Sequence, residues 1–475
     1  MKAWPFQQIR RVTLGRWLAR GTREFAGRVS SDSRDLLPGD LFIAIVGPNF
    51  DGHEFIPDVI AAGAAGILTS RPLDDSILGR AAGASVTVLQ CDNTIRGLNR
   101  LAAAYRREMR AKVIAVGGSN GKTTTKQIIH TLLSARFSGV ASPKSFNNNI
   151  GLPLTLLSVE PQHEYVVLEV GTNAPGEIES LGQVAAPDIA VITGVGLEHL
   201  EFLTDIEHVA REEASLARFV ADDGILFLTN ESPELLSALR LTRGPRFTIG
   251  TIGSGADMEA TEILEALTGT TFTVNGRGHY QMSLLGRHNV FNAMLAIGVA
   301  RRMGLTEEEI RIALQNVKPA SMRLEPLQIG SYRVINDAYN ANPTSMAAAI
   351  KMFANLPIPD DGSSGHPRRV VILGDMLELG PMAAELHRQM GRLAAESRMD
   401  LLILVGPLMR GAADDVRRRG MAVQYFSDVS VAAREVPSLL RQSDAILLKA
   451  SRGTYLEKIV QAIRDSQLGA SAVLV

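Results

Sequence analysis

Cysteine is all but missing from this chain. Cys91 stands alone, so no intrachain disulfide can form and no cysteine-rich zinc site can be built. An excess of charge of one sign is missing too. Lys and Arg total 49 against 50 Asp and Glu, a formal net charge of -1. Nucleic acids and membrane surfaces usually demand an excess of basic side chains, so neither is an expected partner. A local basic pocket for a small phosphorylated ligand remains compatible with that balance. No apolar run is long and uncharged enough to cross a bilayer. The opening MKAWPFQQIRRVTLGRWL interrupts its apolar residues with Gln, Arg and Gly, unlike the continuous core of a signal peptide. The expectation is a soluble, cytoplasmic monomer without stable membrane association.

What is present is ordinary globular composition, 45% hydrophobic and 21% charged over 475 residues. That length suggests about three domains. A first block, 1–108, contains short extended patterns such as Leu41–Val46, an Ala/Gly-rich segment Val59–Leu68, and a closing helical stretch, Thr94–Arg107, with apolar residues near helical spacing. A second block, 109–318, opens with a short buried strand, Lys112–Val116. Strand-like runs follow at Tyr165–Val170, Ile189–Thr193 and Gly224–Leu228, with helical segments between them. A third block, 319–475, repeats the alternation at Val370–Leu373, Leu401–Val405 and Ala445–Leu448. Strands alternating with helices predict mostly parallel sheets, hence a small α/β domain followed by two Rossmann-like α/β domains. The Gly/Pro-rich stretch Pro357–Pro367 is predicted to be a loop.

The strongest local signal is Gly117-Gly118-Ser119-Asn120-Gly121-Lys122-Thr123-Thr124-Thr125-Lys126, between a strand and a predicted helix over Lys126–Ser134. Glycines let successive backbone N–H groups turn toward a phosphate, and the helix N-terminus adds a positive dipole. Lys122 would then reach the outer phosphates and Thr123 would offer its hydroxyl to Mg²⁺. The longer GxxxxGK[ST] pattern is not met, because Val116 stands where its first Gly belongs. The strand–loop–helix context is what points to a nucleotide.

Phosphoryl chemistry also needs metal ligands. Glu169 ends the strand YVVLEV, and His199 follows the next strand after the loop GVGLE. Both fall on the carboxyl edge, where parallel sheets bind ligands. A lone histidine is more often structural, but with Glu169 and Thr123 on neighbouring loops it becomes a metal candidate. The stretch Ile206–Val220 predicts an amphipathic helix whose apolar stripe runs through Ile206, Val209, Ala210, Leu216, Ala217 and Val220. Glu213 sits inside that stripe, whereas Arg211, Glu212 and Arg218 fall off it. A buried carboxylate needs a partner. An internal ion pair and a carboxylate facing the metal are both open at this point.

Taken together the chain resembles the Mur ligase family over nearly its full length. The resemblance rests on Asp32-Ser33-Arg34 and GDLFIAIVGPNFDGHEF in the first block. In the second it rests on GSNGKTTTK, SFNNNIGLP, LEVGTNAPGEI and Gly286-Arg287-His288-Asn289 with Asn292. NDAYNANPTSM (Asn336–Met346) and LGDMLELG (Leu373–Gly380) carry it in the third. The last two, with no DNPR motif, are similar to the branch that adds D-alanyl-D-alanine. The resemblance implies ATP and Mg²⁺, with UDP-muramoyl tripeptide and D-alanyl-D-alanine as reaction partners. It further implies that a substrate carboxylate attacks the γ-phosphate to give an acyl phosphate, which the dipeptide amine then opens.

By the same resemblance, Gly118, Ser119, Asn120, Gly121, Lys122, Thr123, Thr124, His288, Asn289, Asn292, Arg323 and Asp337 bind ATP. Ser31, Asp32, Ser33 and Arg34 hold the uridine end of the substrate. Asn148, Asn149, Tyr339, Asn340, Asn342, Ser345, Ser451 and Arg452 hold the peptide ends. Thr123, Glu169, His199 and Glu213 hold metal, and Lys122, Glu169, His199 and Glu213 form the catalytic set. Two positions depart from the family pattern. Glu213 stands where the family has a lysine that becomes carbamylated, and a shifted helix or bridging water is expected to let the shorter glutamate serve without CO₂. Lys449-Ala450-Ser451-Arg452 has Ala where Gly is usual. A sister ligase, a nucleotide-driven switch and a catalytically silent homologue are the competing readings. The DAYNANP segment counts against the first and the absence of an NKxD segment against the second.

Overall fold

The computed structural model describes residues 3–359, 367–397 and 399–472. Besides a two-stranded antiparallel pair, Trp4–Pro5 with Phe25–Ala26, three larger sheets follow one another along the chain. The first contains β1 (Arg16–Ala19), β2 (Val29–Ser30), β3 (Leu41–Ile43), β4 (Gly66–Thr69) and β5 (Thr87–Gln90), in the spatial order β1-β5-β4-β3-β2. Only β1 runs antiparallel to its neighbour. The extended pattern Leu41–Val46 is strand as far as Ile43 and ends in an isolated bridge between Val46 and Asp51. Helix α1 (Thr94–Glu108) closes this block with Asn93 accepting a capping bond from the Arg96 N–H. Its buried Leu98, Leu101, Ala102 and Tyr105 join a core that continues into the second sheet through Leu152, Leu156 and Val184. The first block is therefore docked by shared apolar burial, not tethered.

The second sheet is built on β6 (Lys112–Gly117), α2 (Lys122–Leu133), β7 (Gly139–Ala141), β8 (Tyr165–Glu169), α3 (Glu177–Ala185), β9 (Ile189–Ile192), α4 (Ile206–Ser215), β10 (Ile225–Thr229) and β11 (Arg246–Thr251). It is extended by β12 (Met258–Ala266), β13 (Gly269–Val274) and β14 (Gly278–Met282), before α5 (Arg287–Arg302) crosses it. The spatial order is β14-β13-β12-β11-β10-β9-β6-β8-β7. Its central strands are buried on both faces, as unbroken β-branched runs such as Val113–Val116 require. Helix α2 turns Ile128, Ile129, Leu132 and Leu133 onto it, each worth ~1.5–3 kcal/mol of burial. The fold is α/β as expected, but β12–β13–β14 form an antiparallel extension that the strand runs did not reveal. Met258–Ala266 (MEATEILEA) interleaves its apolar residues with Thr and Glu and breaks register between Thr261 and Leu264, a weaker signal than a doubly buried run.

The third sheet contains β15 (Glu325–Ile329), β16 (Tyr332–Asp337), α6 (Pro343–Asn355), β17 (Arg369–Gly374), α7 (Ala383–Glu396), β18 (Leu401–Val405), β19 (Gln424–Phe426) and β20 (Ala445–Lys449). Its order is β15-β16-β20-β17-β18-β19, parallel except for β15. Of the predicted loop Pro357–Pro367, residues 360–366 lie outside the described residues. No helix among the described residues is long and apolar enough to cross a membrane.

Candidate active site

Strands β9, β6 and β8 are neighbours, so the loops that leave their carboxyl ends lie side by side. With the N-terminus of α5 and the segment after β16 they enclose a cavity of about 790 Å³. The phosphate loop is shaped by two glycines, Gly118 (φ +114°) and Gly121 (φ +84°). A Cβ at Gly118 would stand 2.2 Å from Thr193 Oγ1, and one at Gly121 would stand 2.5 Å from Asn292 Oδ1. Neither position tolerates a side chain. Helix α2 begins at Lys122, earlier than the predicted Lys126, and its first turn has no side-chain cap. Uncapped amides at a helix N-terminus form an anion site. Lys122 folds back over the loop, its Nζ donating to the carbonyls of Gly118 (2.6 Å) and Ser119 (3.3 Å).

The acidic groups behave differently from one another. Glu169, 1% exposed, has both oxygens engaged: Oε2 accepts from Lys126 Nζ at 2.9 Å and Oε1 from Asn147 Nδ2 at 3.1 Å. Glu213 is wholly buried under the loop, where its Oε2 accepts the Gly118 N–H at 2.6 Å. Burial raises its carboxyl to about 8, against the pull of Lys122. Glu198 is also buried and lines the cavity, 3.7 Å from Lys122 Nζ; burial pushes its carboxyl upward too. For Lys122 itself, burial is the largest influence and favours the neutral amine. Glu198, Glu213 and Glu169 together outweigh it and hold the ammonium above its usual value. His199 Nδ1 lies 2.6 Å from Glu378 Oε2, on the loop after β17, and its Nε2 faces Glu198 Oε2 at 3.9 Å. Among the described residues no cluster of three or more His, Cys, Asp or Glu side chains stands at metal-holding distances.

The third sheet completes the cavity wall. Asn342 caps α6 through the Ser345 N–H, and its Nδ2 donates to Asn120 Oδ1 of the phosphate loop at 2.9 Å. Tyr339 meets Ser145 at 2.8 Å, and the Arg323 guanidinium stacks 4.1 Å above the Tyr339 ring. Asp337 accepts from the Leu324 N–H and pairs with Lys449 Nζ at 2.6 Å, which gives Lys449 a buried counter-ion role. His288 lines the same cavity, and burial lowers its imidazole to about 4, despite the nearby Asp337. The ring is then neutral from about pH 5 to 8, and the stability it contributes, present above its usual 6.5, is lost only as pH falls toward 4. Its imidazole NMR shifts are expected to stay flat over that range; an inflection near 6.5 would refute the assignment.

The structure thus brings Ser119, Asn120, Gly121, Lys122, Thr123 and Thr124 to one cavity. Asn148, Asn149, Glu169, His199, His288, Asn289 and Asn292 line it from the same sheet, and Arg323, Asp337, Tyr339, Asn340, Asn342 and Ser345 from the third. Gly118 and Glu213 lie behind its wall. Four residues of the first block are not brought to it. There Asp32 caps a short turn and pairs with Arg34 at 2.8 Å, with Ser31 and Ser33 beside them. Nor are Ser451 and Arg452. The buried Ser451 hydroxyl donates to Ala341 O and accepts from the Leu377 N–H, while Arg452 pairs with Glu457. Ser451 thereby ties the segment after β16 to the loop after β17, while Arg452 stays exposed. The α4 expectation also needs correction. The helix stops at Ser215 and tightens into a 3-10 turn over Leu216–Phe219, and Glu212 is buried, not off the stripe. Its carboxylate accepts the N–H groups of Gly176 and Ile178 at the start of α3. Position 212 looked polar-facing because its burial is paid by a neighbouring helix, invisible to periodicity.

Sequence reasoning assigned nothing to Glu198, Lys126, Asn147 or Glu378. Glu198 was visible as an acidic residue in the loop GVGLE beside His199, the one signal that could have found it.

Three sheets whose central member offers an uncapped phosphate loop to a cleft walled by the third define a nucleotide-dependent, multidomain α/β enzyme. The chain belongs to the Mur ligase family. Residues 27–106 match "Mur ligase family, catalytic domain", 116–300 the "Mur ligase middle domain" and 322–452 the "Mur ligase, glutamate ligase domain". The UDP-N-acetylmuramoyl-tripeptide–D-alanyl-D-alanine ligase of Bacillus subtilis is 35% identical over 93% of each chain. The protein of that name from Escherichia coli is 30% identical over 92% of this chain and 94% of its own. A crystal structure of MurF from Acinetobacter baumannii superposes with a TM-score of 0.86, at 28% identity, covering 98% of this chain and 99% of that one.

Proposed function

We propose that this chain ligates D-alanyl-D-alanine to a UDP-N-acetylmuramoyl tripeptide at the cost of ATP, releasing ADP and phosphate. The observation that carries this reading is the meeting of the phosphate loop with the DAYNANP segment at one cavity, through Asn120 and Asn342. Both lie in a chain aligned nearly end to end with ligases of that name. The proposed units are 1–108 for the uridine-nucleotide end, 109–318 for ATP and 319–475 for the dipeptide side.

In this reading Lys122 unfolds from its own loop carbonyls to meet the outer phosphates, joined by the uncapped amides of α2. Neutral His288, with Asn289 and Asn292, borders the nucleoside end, and Arg323 reaches it from the third sheet. The substrate carboxylate attacks the γ-phosphorus and ADP departs. The dipeptide amine then attacks the acyl carbon, and phosphate leaves the tetrahedral intermediate. Asn340, Asn342, Ser345 and Tyr339 orient that amine, and enclosure between two sheets excludes water from the acyl phosphate.

The residues fit a hard cation: the Thr123 hydroxyl, the His199 Nε2, and the buried Glu198 carboxylate, whose Oε2 faces that ring nitrogen. Mg²⁺ held there supplies charge neutralisation between the carboxylate and the γ-phosphate. We place the activity in the cytoplasm and in a monomer.

The test is phosphate release from ATP and Mg²⁺ with UDP-muramoyl tripeptide, with and without D-alanyl-D-alanine, alongside mass detection of pentapeptide. Product appearing only with the dipeptide is the expected result. Phosphate release indifferent to the dipeptide, with no pentapeptide, would move the chain to a sister specificity.

A further inference from the structure

Position 213 is where the family resemblance puts the second carboxylate of the metal site, yet two glutamates stand near Lys122 and their surroundings separate them. Glu213 is wholly enclosed and does not line the cavity. Its Oε2 is taken by the Gly118 N–H at 2.6 Å, and a Cβ on Gly117 would stand 3.1 Å from that same oxygen. It thus sits directly beneath the loop backbone, with main chain between it and the space a nucleotide would fill. The Oε1 of each glutamate finds no hydrogen-bond partner, but only Glu198, 6% exposed, lines the cavity where a ligand could reach it. The nearest cation, Lys122, is 3.7 Å away, beyond hydrogen-bond distance, and gives two of its three protons to loop carbonyls.

The neighbouring histidine points the same way. A histidine that binds metal usually gives its other ring nitrogen to a carboxylate, which fixes the ring. His199 does so, with Nδ1 at 2.6 Å from Glu378 Oε2, leaving Nε2 turned to Glu198 Oε2 at 3.9 Å. Adjacent ligands ~2.1 Å from one Mg²⁺ lie about 3 Å apart, so the two atoms share an ion once that gap closes by about 1 Å. Magnesium needs no more than one or two protein carboxylates when phosphates and waters complete its shell.

We propose that Glu198, beside His199, supplies to the divalent cation the carboxylate that the family resemblance assigns to position 213, and that Glu213 is a positioning residue that pins the phosphate loop from below. This rests on the ATP-dependent reading above and departs from the expectation that Glu213 itself replaces the carbamylated lysine.

The test is Mn²⁺ binding to the full chain with ADP, followed by electron paramagnetic resonance of free Mn²⁺, in wild type, Glu198→Gln and Glu213→Gln. Glutamine at 213 keeps an acceptor for the Gly118 N–H, so its Mn²⁺ affinity should stay within about threefold of wild type, whereas Glu198→Gln should lose about tenfold or more. Calorimetric ADP binding in EDTA checks that the loop is assembled. Should Glu198→Gln fail that check, Glu198→Asp takes its place. It keeps the charge beside Lys122 but draws the oxygen back by one bond, and a loss of about threefold or more is expected. Wild-type affinity in the folded Glu198 variant, or a loss at 213 equal to that at 198, would overturn the proposal. No ligation substrate enters the assay, so a wrong acceptor or donor assignment would leave these affinities unchanged.

Discussion

Lys122→Ala is expected to reduce ligation by about a thousandfold or more while the chain stays folded. The lysine sits at the first residue of α2, inside the anion site that the uncapped helix and the two positive-φ glycines create. Three carboxylates, Glu169, Glu198 and Glu213, act on its charge, and Lys126 answers only Glu169. Removing Lys122 therefore takes away the ammonium folded over the loop and leaves Glu198, on the cavity wall, without its nearest cation. Both effects oppose the reaction: ATP is repelled at entry, and charge on the transferred phosphoryl group loses its partner. The fold should survive because α2 is anchored from its other face by Ile128, Ile129, Leu132 and Leu133. The deprived carboxylates can take up protons in place of unfolding the chain. Phosphate release and thermal unfolding measured side by side would check this; near-normal ligation in the variant would remove the phosphate-loop assignment.

The parts of this site that were legible in the sequence are those held by local geometry. The phosphate loop is read from Gly121-Lys122-Thr123 after a β-branched strand, and the carboxyl-edge positions of Glu169 and His199 follow from where doubly buried strands end. The third-sheet contribution was legible only through the family resemblance, because nothing near Asn342 announces that its side chain will meet Asn120. What periodicity could not read was pairing across long separations. Glu212 and Glu213 are adjacent on one helix, and both are buried. One meets the amides of α3 and the other the amide of Gly118. A helical wheel ranks residues by face, and it cannot see that backbone N–H groups on two other elements arrive to satisfy two charged neighbours. The antiparallel extension β12–β13–β14 escaped for a related reason, since an edge hairpin needs only one buried face and spends half its positions on Thr and Glu.

Glu213→Gln should make the protein more stable at alkaline pH and leave it nearly unchanged at acid pH. Burial raises the Glu213 carboxyl to about 8 from the usual 4.5. The unfolded chain gives up this proton near 4.5, but the folded chain holds it until near 8. The stability linked to that proton is complete below 4.5 and is lost as pH rises through 8. Each pK step is worth ~1.4 kcal/mol, so the loss across that window is on the order of 3–5 kcal/mol. Glutamine has no proton to lose, and its amide oxygen can still accept the Gly118 N–H. Denaturation midpoints of wild type and variant, compared at about pH 5 and about pH 8.5, isolate the effect as a difference of differences. The variant's advantage should grow with pH. An advantage that is the same at both values would mean that Glu213 is already ionised at acid pH, held so by a charge partner closer than Lys122. The bond to Gly118 would then be a charged one, tying the loop to α4 more tightly than a shared proton could.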